Sequence, residues 1–288
     1  TKVSETNPIV PGYDAAGVIV AIGSDVTKFD IGDEVYYAGN LRKQGTYAPY
    51  HAIDSRVIAR RPTLLSYSEA AGIPLDAISA WEALIDRMKI PEDPTENEGK
   101  TILITAGAGG IGSIAIQIAK KILGLKVIAS ASREDTHDWI KKCGADSVIN
   151  SHNPVSDELD KVGVWQVDYI LHCNEQETEN FKHFRDIIKP FGVIGVVTTR
   201  VQEDEINLFN KNVKLLYEIM FEKVLNGVEL ERQGEILKII ANLLDQKILF
   251  TTVRETKVFN LNNVKEAHER LEKGEVIGKI VMDQVDLL

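Results

Sequence analysis

The stretch that decides the fold is residues 101–122, "TILITAGAGGIGSIAIQIAKKI". It opens with a short apolar segment typical of a buried strand, continues with four glycines in six positions, and ends in a long apolar segment typical of a helix. Glycine weakens both strands and helices. Four glycines at a strand-to-helix junction therefore indicate that some other group must come close to the backbone there.

The glycines fit the spacing G-x-G-x-x-G, with Gly107, Gly109 and Gly112 at the three fixed positions. In a dinucleotide site the first glycine makes a tight turn, the second lets the backbone touch a pyrophosphate, and the third packs the helix against the strand. The amides at the helix start then face the negative charge. The strand before and the helix after favour this interpretation over an ordinary turn. We therefore predict that Gly107, Gly109, Gly110, Ile111 and Gly112 bind a dinucleotide.

The end of the next predicted strand indicates which dinucleotide is bound. An NAD site normally has Asp or Glu there, about 20 residues after the glycines, to hold the ribose 2′-hydroxyl. Here the sequence is "KVIASASRED", with Ser130, Ser132 and Arg133 and no acid before Glu134. Hydroxyls and a guanidinium suit a 2′-phosphate. We predict NADPH rather than NADH; the alternative is that Arg133 is a solvated residue at a helix start.

From residue 101 onward, predicted strands and helices alternate. Such alternation builds a parallel, doubly wound sheet with right-handed crossovers, which is the Rossmann type of α/β fold. The predicted strands are 101–105, 125–131, 146–150, 167–172, 191–197 and 212–221, and the predicted helices are 110–123, 134–143, 177–189 and 231–247.

The flanking segments have a different pattern. Residues 1–60 are rich in strand signals, and helical segments and a charged, proline-bearing linker follow up to residue 100. Near the C-terminus a short helix is predicted with Asn263 as N-cap, Glu266 in the capping box and Gly274 at its end. The other predicted elements are strands at 15–23, 32–38, 45–53 and 278–282 and two helices within 66–88.

Composition limits the class of protein. The 288 residues are 44% hydrophobic and 26% charged, which is ordinary for a soluble chain of two domains. No apolar run approaches the roughly 20 residues of a membrane span, and the N-terminus has no signal-peptide pattern. Cys143 and Cys173 are too few for a disulfide framework, and the net charge of −10 argues against nucleic acid or an anionic membrane as partner. We expect a cytoplasmic protein.

Five motifs occur in a fixed order over essentially the whole chain: "GYDAAGVIVAIG", "GTYAPY", "IPLDAISAWEAL", "AGAGGIGSIAIQIAK" and "AHERLEKGEVIGKIVM". In this order they resemble the medium-chain dehydrogenase/reductase superfamily, in particular its quinone oxidoreductases and zinc-type alcohol dehydrogenase-like proteins. The resemblance implies a GroES-like partial β-barrel of residues 1–79 and 249–288, a Rossmann domain of residues 80–248, and a homodimer. The sequence starts within a pattern typical of the middle of such a barrel, so we expect the barrel's N-terminal part to be missing from it.

The resemblance also bears on metal binding. Zinc-dependent relatives carry a histidine ligand at the position of Tyr13, and a phenol is a rare zinc ligand. The family's structural zinc needs four closely spaced cysteines, and this chain has two. His172 and Cys173 are neighbours on a predicted strand and point to opposite faces. We therefore expect no metal.

Without a metal, the expected reaction is hydride transfer from NADPH to a quinone or an α,β-unsaturated carbonyl. The resemblance implies that Asn40 and Tyr47 contact substrate, although Tyr47 is also typical of a half-buried strand tyrosine. A zinc-dependent alcohol dehydrogenase and a non-catalytic NADPH-binding protein are the alternatives. By the same resemblance, the further candidates for cofactor contact are Cys173, Asn174, Val196, Thr198 and Lys279.

Overall fold

The apolar runs of the sequence form strands whose bounds the structure fixes. The computed structural model describes residues 8–173, 178–197 and 208–283. Its strands, in chain order, are β1 (Asp14–Val18), β2 (Glu34–Ala38), β3 (Ala59–Arg60), β4 (Thr101–Ile104), β5 (Lys126–Ala131), β6 (Ser147–Asn150), β7 (Val167–His172), β8 (Ile188–Val196), β9 (Lys214–Tyr217), β10 (Val253–Val258) and β11 (Lys279–Asp283).

Helices form where apolar residues recur at helical spacing. A π-helical segment, Glu82–Arg87, continues directly from α2, and short 3₁₀ turns occupy three of the connections. The α-helices are α1 (Tyr67–Ala71), α2 (Pro74–Trp81), α3 (Gly110–Lys121), α4 (His137–Cys143), α5 (Val155–Lys161), α6 (Thr178–Ile187), α7 (Phe221–Asn226), α8 (Leu230–Asp245) and α9 (Leu261–Glu272).

The chain divides into two compact units. The first unit comprises the described residues up to Ile78, together with Met220–Glu275 and the residues from Ile280 onward. The second unit comprises Ser79–Ile219 and Val276–Lys279. The sequence-based boundary assigned 220–248 to the Rossmann domain, and the observed division differs from it at this point. The reason is that α8 packs on the first unit, where the Tyr36 hydroxyl donates to the Leu237 carbonyl at 2.5 Å.

The second unit contains a six-stranded parallel sheet in the order β6-β5-β4-β7-β8-β9. The chain begins in the middle of this sheet and winds outward in both directions, which is the strand order of a dinucleotide-binding Rossmann fold. The predicted doubly wound sheet is therefore confirmed. In such a sheet, ligands bind outside the carboxyl ends of the strands, where the direction of winding reverses. Here that point lies between β4 and β7.

The second unit is held by a core on each face of its sheet. On one face, Ile170 and Ile194 of the sheet pack with Leu159 of α5 and Phe181 and Phe184 of α6, and all five are at least 98% buried. On the other face α3 is almost wholly buried, including its polar Ser113 and Gln117. Burial of a large aliphatic or aromatic side chain is worth about 1.5–3 kcal/mol, so these layers hold the carboxyl edge of the sheet in place.

The first unit is built on the antiparallel sheet β1-β2-β3 and the two-stranded ladder β10-β11. The predicted strand at 45–53 is wrong: this segment forms a bend at residues 46–49 and irregular backbone around it. Its first residues instead donate three backbone hydrogen bonds to Val10, Pro11 and Gly12. Gly45 lies so close to this stretch that a Cβ atom would be 2.4 Å from two of its carbonyl oxygens. Tyr47 therefore belongs to a close contact between loops rather than to a strand, and Tyr50 is exposed.

Two further sequence-based predictions need correction. The N-cap of α9 is Asn260, not Asn263, and its side chain accepts from the Asn263 amide at 2.9 Å. Glu266 does not complete a capping box there, because its carboxylate contacts Lys257 at 2.6 Å. The sequence offered two asparagines three residues apart, and the extended backbone of the first decides which one caps the helix. The elements β3, α5, α7 and β10 were not predicted.

Candidate dinucleotide site

The glycine turn joins β4 to α3. Ala106 adopts a positive φ of 50°, and the Gly107 amide donates to the Ser130 carbonyl of β5 at 2.9 Å. The Gly109 amide then closes the turn by donating to the Ala106 carbonyl, also at 2.9 Å. The turn is thereby fixed to the neighbouring strand before the helix starts.

Two of the glycines are required by packing within the turn. A Cβ atom on Gly112 would lie 2.3 Å from the Ala106 carbonyl oxygen, which is backbone and cannot move aside. A Cβ on Gly107 would lie 2.8 Å from the Cβ of Ala129. These positions agree with the tight turn and the close helix–strand packing that the spacing predicts.

Gly109 is different, because the protein itself leaves room beside it. A Cβ there would meet only the Ala106 carbonyl oxygen, at 3.3 Å, and its φ of −71° and ψ of 175° suit any residue. Gly109 is the N-cap of α3, so the amides of Gly110, Ile111 and Gly112 have no acceptor within the helix. An open backbone surface with amides at a helix N-terminus fits the pyrophosphate of a dinucleotide.

The C-terminal end of the second unit lies beside this turn. The Gly278 amide donates to the Ala108 carbonyl at 2.8 Å. Lys279, which follows it, is half-buried. This hydrogen bond brings Lys279, a predicted cofactor contact, close to the glycine turn, although 171 positions separate Lys279 from Ala108 in sequence.

Thr105 is a residue that the sequence analysis missed. It directly follows β4, and its buried hydroxyl accepts from the Cys173 amide at 2.8 Å and lies 3.1 Å from His172 Nδ1. Burial lowers the pKa of His172 to about 4, so the ring is neutral near pH 7. Thr105 therefore ties the carboxyl ends of β4 and β7 together. Its position at a strand end, next to the glycines, was the signal available in the sequence.

The residues at the end of β5 differ in exposure. Ser130 is buried, and its hydroxyl accepts from the Ala106 amide at 3.2 Å, so it supports the turn. Ser132 is exposed, and Arg133 is half-buried with its Nε 3.1 Å from Asp135 Oδ1. Of the three predicted 2′-phosphate contacts, Ser132 and Arg133 are thus at the surface, while Ser130 lies beneath it.

The remaining predicted cofactor contacts have different environments. Cys173 is half-buried directly after β7. Val196, at the end of β8, has a fully buried side chain in the core, and its carbonyl accepts from the Glu218 amide at 2.8 Å. This burial argues against a side-chain contact between Val196 and a cofactor. Asn174 and Thr198 lie outside the described residues.

A small cavity of about 10 Å³, roughly the space of one water molecule, lies at the same carboxyl edge of the sheet. Its polar lining comes from Thr105 after β4, Ser130 of β5, and Asn150 and Ser151 at the end of β6. Glu158 of α5 holds the Asn150 amide at 2.9 Å, which fixes the loop that follows β6. The pocket is therefore formed by loops that the sheet and α5 position.

The candidate substrate residues belong to the first unit. The Tyr47 ring lies against the backbone of Gly12, whose φ is 97° and whose Cβ would be 2.4 Å from Tyr47 Cδ1. The Tyr47 hydroxyl is 3.3 Å from Nε2 of His268, an exposed residue of α9, and Phe259 packs edge-on against the tyrosine ring. Asn40 instead makes a turn, because its side-chain oxygen accepts from the Arg42 amide at 2.8 Å.

Metal ligands are not clustered in the part of the chain that the structure describes, where no three His, Cys, Asp or Glu side chains could share an ion. Tyr13 packs edge-on against Phe221, with ring centroids 5.4 Å apart. Within the same described ranges, no helix has the length and apolar composition needed to cross a bilayer.

Comparison with known proteins identifies the family. Residues 2–63 match the alcohol dehydrogenase GroES-like domain, and residues 143–282 match the zinc-binding dehydrogenase family. The chain belongs to the medium-chain dehydrogenase/reductase superfamily, in its zinc-type alcohol dehydrogenase-like branch. It is accordingly an oxidoreductase of the class that binds nicotinamide cofactors, and it contains a GroES-like domain and a Rossmann sheet, as the sequence predicted.

Individual relatives cover nearly the whole chain. A zinc-type alcohol dehydrogenase-like protein of Staphylococcus aureus is 37% identical over 96% of this chain and 83% of its own length. The 2-methylene-furan-3-one reductase of Solanum lycopersicum is 30% identical over 96% of this chain and 64% of its own length.

Two solved structures are similar along their chains. A protein of Rhizobium etli CFN 42, named as a candidate zinc-dependent alcohol dehydrogenase, is 35% identical with a TM-score of 0.90, over 100% of this chain and 84% of its own. The quinone oxidoreductase of Coxiella burnetii is 28% identical with a TM-score of 0.79, over 98% of this chain and 81% of its own.

Proposed function

We propose that this oxidoreductase uses NADPH to reduce a quinone or an α,β-unsaturated carbonyl compound. The observation that carries the proposal is the open backbone at Gly109, flanked by two glycines that packing requires and followed by the amides of α3. A negatively charged pyrophosphate is the ligand that this surface suits best.

NADPH is favoured over NADH by the end of β5. Arg133 offers a forked, permanently charged donor group, and Ser132 an exposed hydroxyl, at the position where NAD sites normally place an acid. A guanidinium and a hydroxyl stabilise a 2′-phosphate through charge-assisted hydrogen bonds. The preference for NADPH therefore depends on Arg133.

On the substrate side, the Tyr47–His268 pair suits a proton donor. When bound, NADPH would supply the hydride for the β-carbon of an enone, and the α-carbon would then need a proton from a side chain or solvent. The Tyr47 hydroxyl can give that proton, and His268, exposed to solvent 3.3 Å away, can return one to Tyr47. Names of relatives support both substrate classes, since one is a 2-methylene-furan-3-one reductase and another a quinone oxidoreductase.

The test is NADPH oxidation by the full-length protein with small enones and with 1,4-quinones, after dialysis against a strong chelator. We expect turnover of at least one class, unchanged by the chelator. Activity with simple alcohols that disappears on chelation and returns with Zn²⁺ would instead make the protein a zinc-dependent alcohol dehydrogenase. Binding of NADPH without turnover of either class would make it a non-catalytic NADPH-binding protein.

A further inference from the structure

We propose that Asp135 competes with the 2′-phosphate of NADPH for Arg133, and that it thereby limits how strongly this protein prefers NADPH to NADH. The inference rests on the proposed use of NADPH and assigns a specificity-determining role to an acid that lies just beyond the expected 2′-phosphate site.

Arg133 and Asp135 form an ion pair in the protein without a bound cofactor. Arg133 Nε lies 3.1 Å from Asp135 Oδ1, with 31% of the arginine side chain and 66% of the aspartate side chain exposed. The intervening backbone is fixed by a 3₁₀ turn, Glu134–Thr136, in which the Thr136 hydroxyl donates to the Arg133 carbonyl at 2.6 Å. The pairing therefore needs little ordering of the chain, which makes it a persistent competitor.

The charges decide the outcome of the competition. A phosphate monoester carries a charge of about −1.5 to −2 at neutral pH and accepts a bidentate guanidinium, whereas Asp135 carries a single charge and contacts Arg133 through Nε. The phosphate therefore displaces the carboxylate. The displaced carboxylate remains two residues away and repels the phosphate. NADH, which has a 2′-hydroxyl, avoids both effects.

The experiment is a fluorescence or calorimetric titration of the wild-type protein and Asp135→Asn with NADPH, NADH, 2′,5′-ADP and ADP. Removing an exposed ion pair and a screened repulsion should tighten binding of NADPH and of 2′,5′-ADP by roughly three- to tenfold. Binding of NADH and ADP should change by less than about twofold, because neither carries the 2′-phosphate.

Two further variants make the test specific. Glu134→Gln removes the same charge from the same turn and should change the affinity for NADPH by less than about twofold, because screening weakens charges without a close partner. In the Arg133→Ala background, Asp135→Asn should retain only the small repulsive part of its effect, which a double-mutant cycle measures. Melting temperatures of all variants confirm that each one is folded.

The outcomes separate this inference from the proposed function. If the wild-type protein binds neither NADPH nor NADH, the proposed function fails and the inference fails with it. If NADPH binds but Asp135→Asn leaves its affinity unchanged, or tightens NADH equally, only the inference is overturned. An equal effect of Glu134→Gln would also overturn it, since general charge rather than the Arg133 contact would then be responsible.

Discussion

At the scale of single residues, the glycine turn separates two positions that packing requires to be glycine from one, Gly109, that packing leaves open. Gly107 and Gly112 face atoms of the protein at distances that exclude any Cβ. Gly109 faces a carbonyl oxygen at 3.3 Å and otherwise open space. The three glycines of one motif therefore respond differently to substitution.

We predict that Gly109→Val weakens NADPH binding roughly tenfold or more, with a melting temperature close to that of the wild type, because its side chain would occupy the space of the pyrophosphate. Gly112→Ala should instead lower the free energy of unfolding by about 1–3 kcal/mol, since its Cβ collides with backbone. Cofactor titration and thermal melting check the pair. Unchanged NADPH affinity in folded Gly109→Val would contradict the assignment of the site.

Phe191 is a residue with a strained backbone whose substitution should affect stability. It adopts a φ of 64° in an irregular part of β8 and is 75% exposed, so its ring contributes little burial. A left-handed backbone costs a bulky residue about 1–2 kcal/mol, whereas glycine adopts it freely. We predict that Phe191→Gly raises the free energy of unfolding by about 0.5–1 kcal/mol after the added unfolded-state entropy is subtracted.

The control for this prediction is Trp165→Gly. Trp165 is 78% exposed, as Phe191 is, but its φ is not positive. Glycine at that position should therefore destabilise the protein. Denaturant unfolding monitored by circular dichroism measures both variants, and a loss of stability in Phe191→Gly would show that its ring makes a stabilising contact.

At the scale of elements, Asp245 shows how a helix end is attached to the first unit. It ends α8 and accepts three hydrogen bonds, from the amide and the hydroxyl of Thr63 and from the Leu64 amide, at 3.0–3.1 Å. Burial alone would raise the pKa of Asp245, but the hydrogen bonds from Leu64 and Thr63 outweigh it and lower the pKa. The carboxylate form is thus the one that holds α8 to this loop.

We predict that Asp245→Ala lowers the free energy of unfolding by about 1–3 kcal/mol at pH 7, because two amides and a hydroxyl lose a charged acceptor. A lowered native pKa gives stability that is present above the unfolded pKa and is lost as pH falls through the native pKa. The difference in the free energy of unfolding between the wild type and Asp245→Ala should therefore become smaller below about pH 4. The control is Asp25→Asn, in an exposed turn, which should have the same free energy of unfolding as the wild type.

Sequence reasoning succeeded for elements where local pattern and tertiary environment agree. The strands of the Rossmann sheet are apolar because both of their faces are covered, so their runs are visible in the sequence. It failed at 45–53, where residues 45–47 form a loop against residues 10–12, and at α9, where Asn260 rather than Asn263 forms the cap. The helix α5 was missed because it is only seven residues long and mostly charged.

At the scale of the whole molecule, the Tyr47–His268 pair joins residues that are 221 positions apart. Under the proposed proton-donor role of Tyr47, reduction of an enone and reduction of a quinone depend on this pair to different extents. Protonation of carbon needs a positioned acid, which contributes typically 10²–10⁴-fold to such a step. The reduced quinone takes its proton on oxygen, which water supplies quickly.

We therefore predict that Tyr47→Phe lowers kcat/KM for enones roughly 100-fold and changes kcat/KM for quinones by less than about threefold. His268→Gln should lower kcat/KM for enones by a smaller factor, whereas His183→Gln, at an exposed histidine of the second unit, should leave it unchanged. Steady-state kinetics with both substrate classes measure all three variants. An equal loss with both substrate classes in Tyr47→Phe would assign Tyr47 to substrate binding instead of proton transfer.

The amino-acid sequence by itself determined the parallel sheet and the glycine turn, and it predicted a dinucleotide at that turn, because strand burial, helix periodicity and the need for small residues are all local. Only the tertiary structure decided that α8 packs on the first unit, that Gly109 faces open space, and that Tyr47 meets His268. These depend on contacts between distant segments, and no local pattern records which distant segment a residue will face.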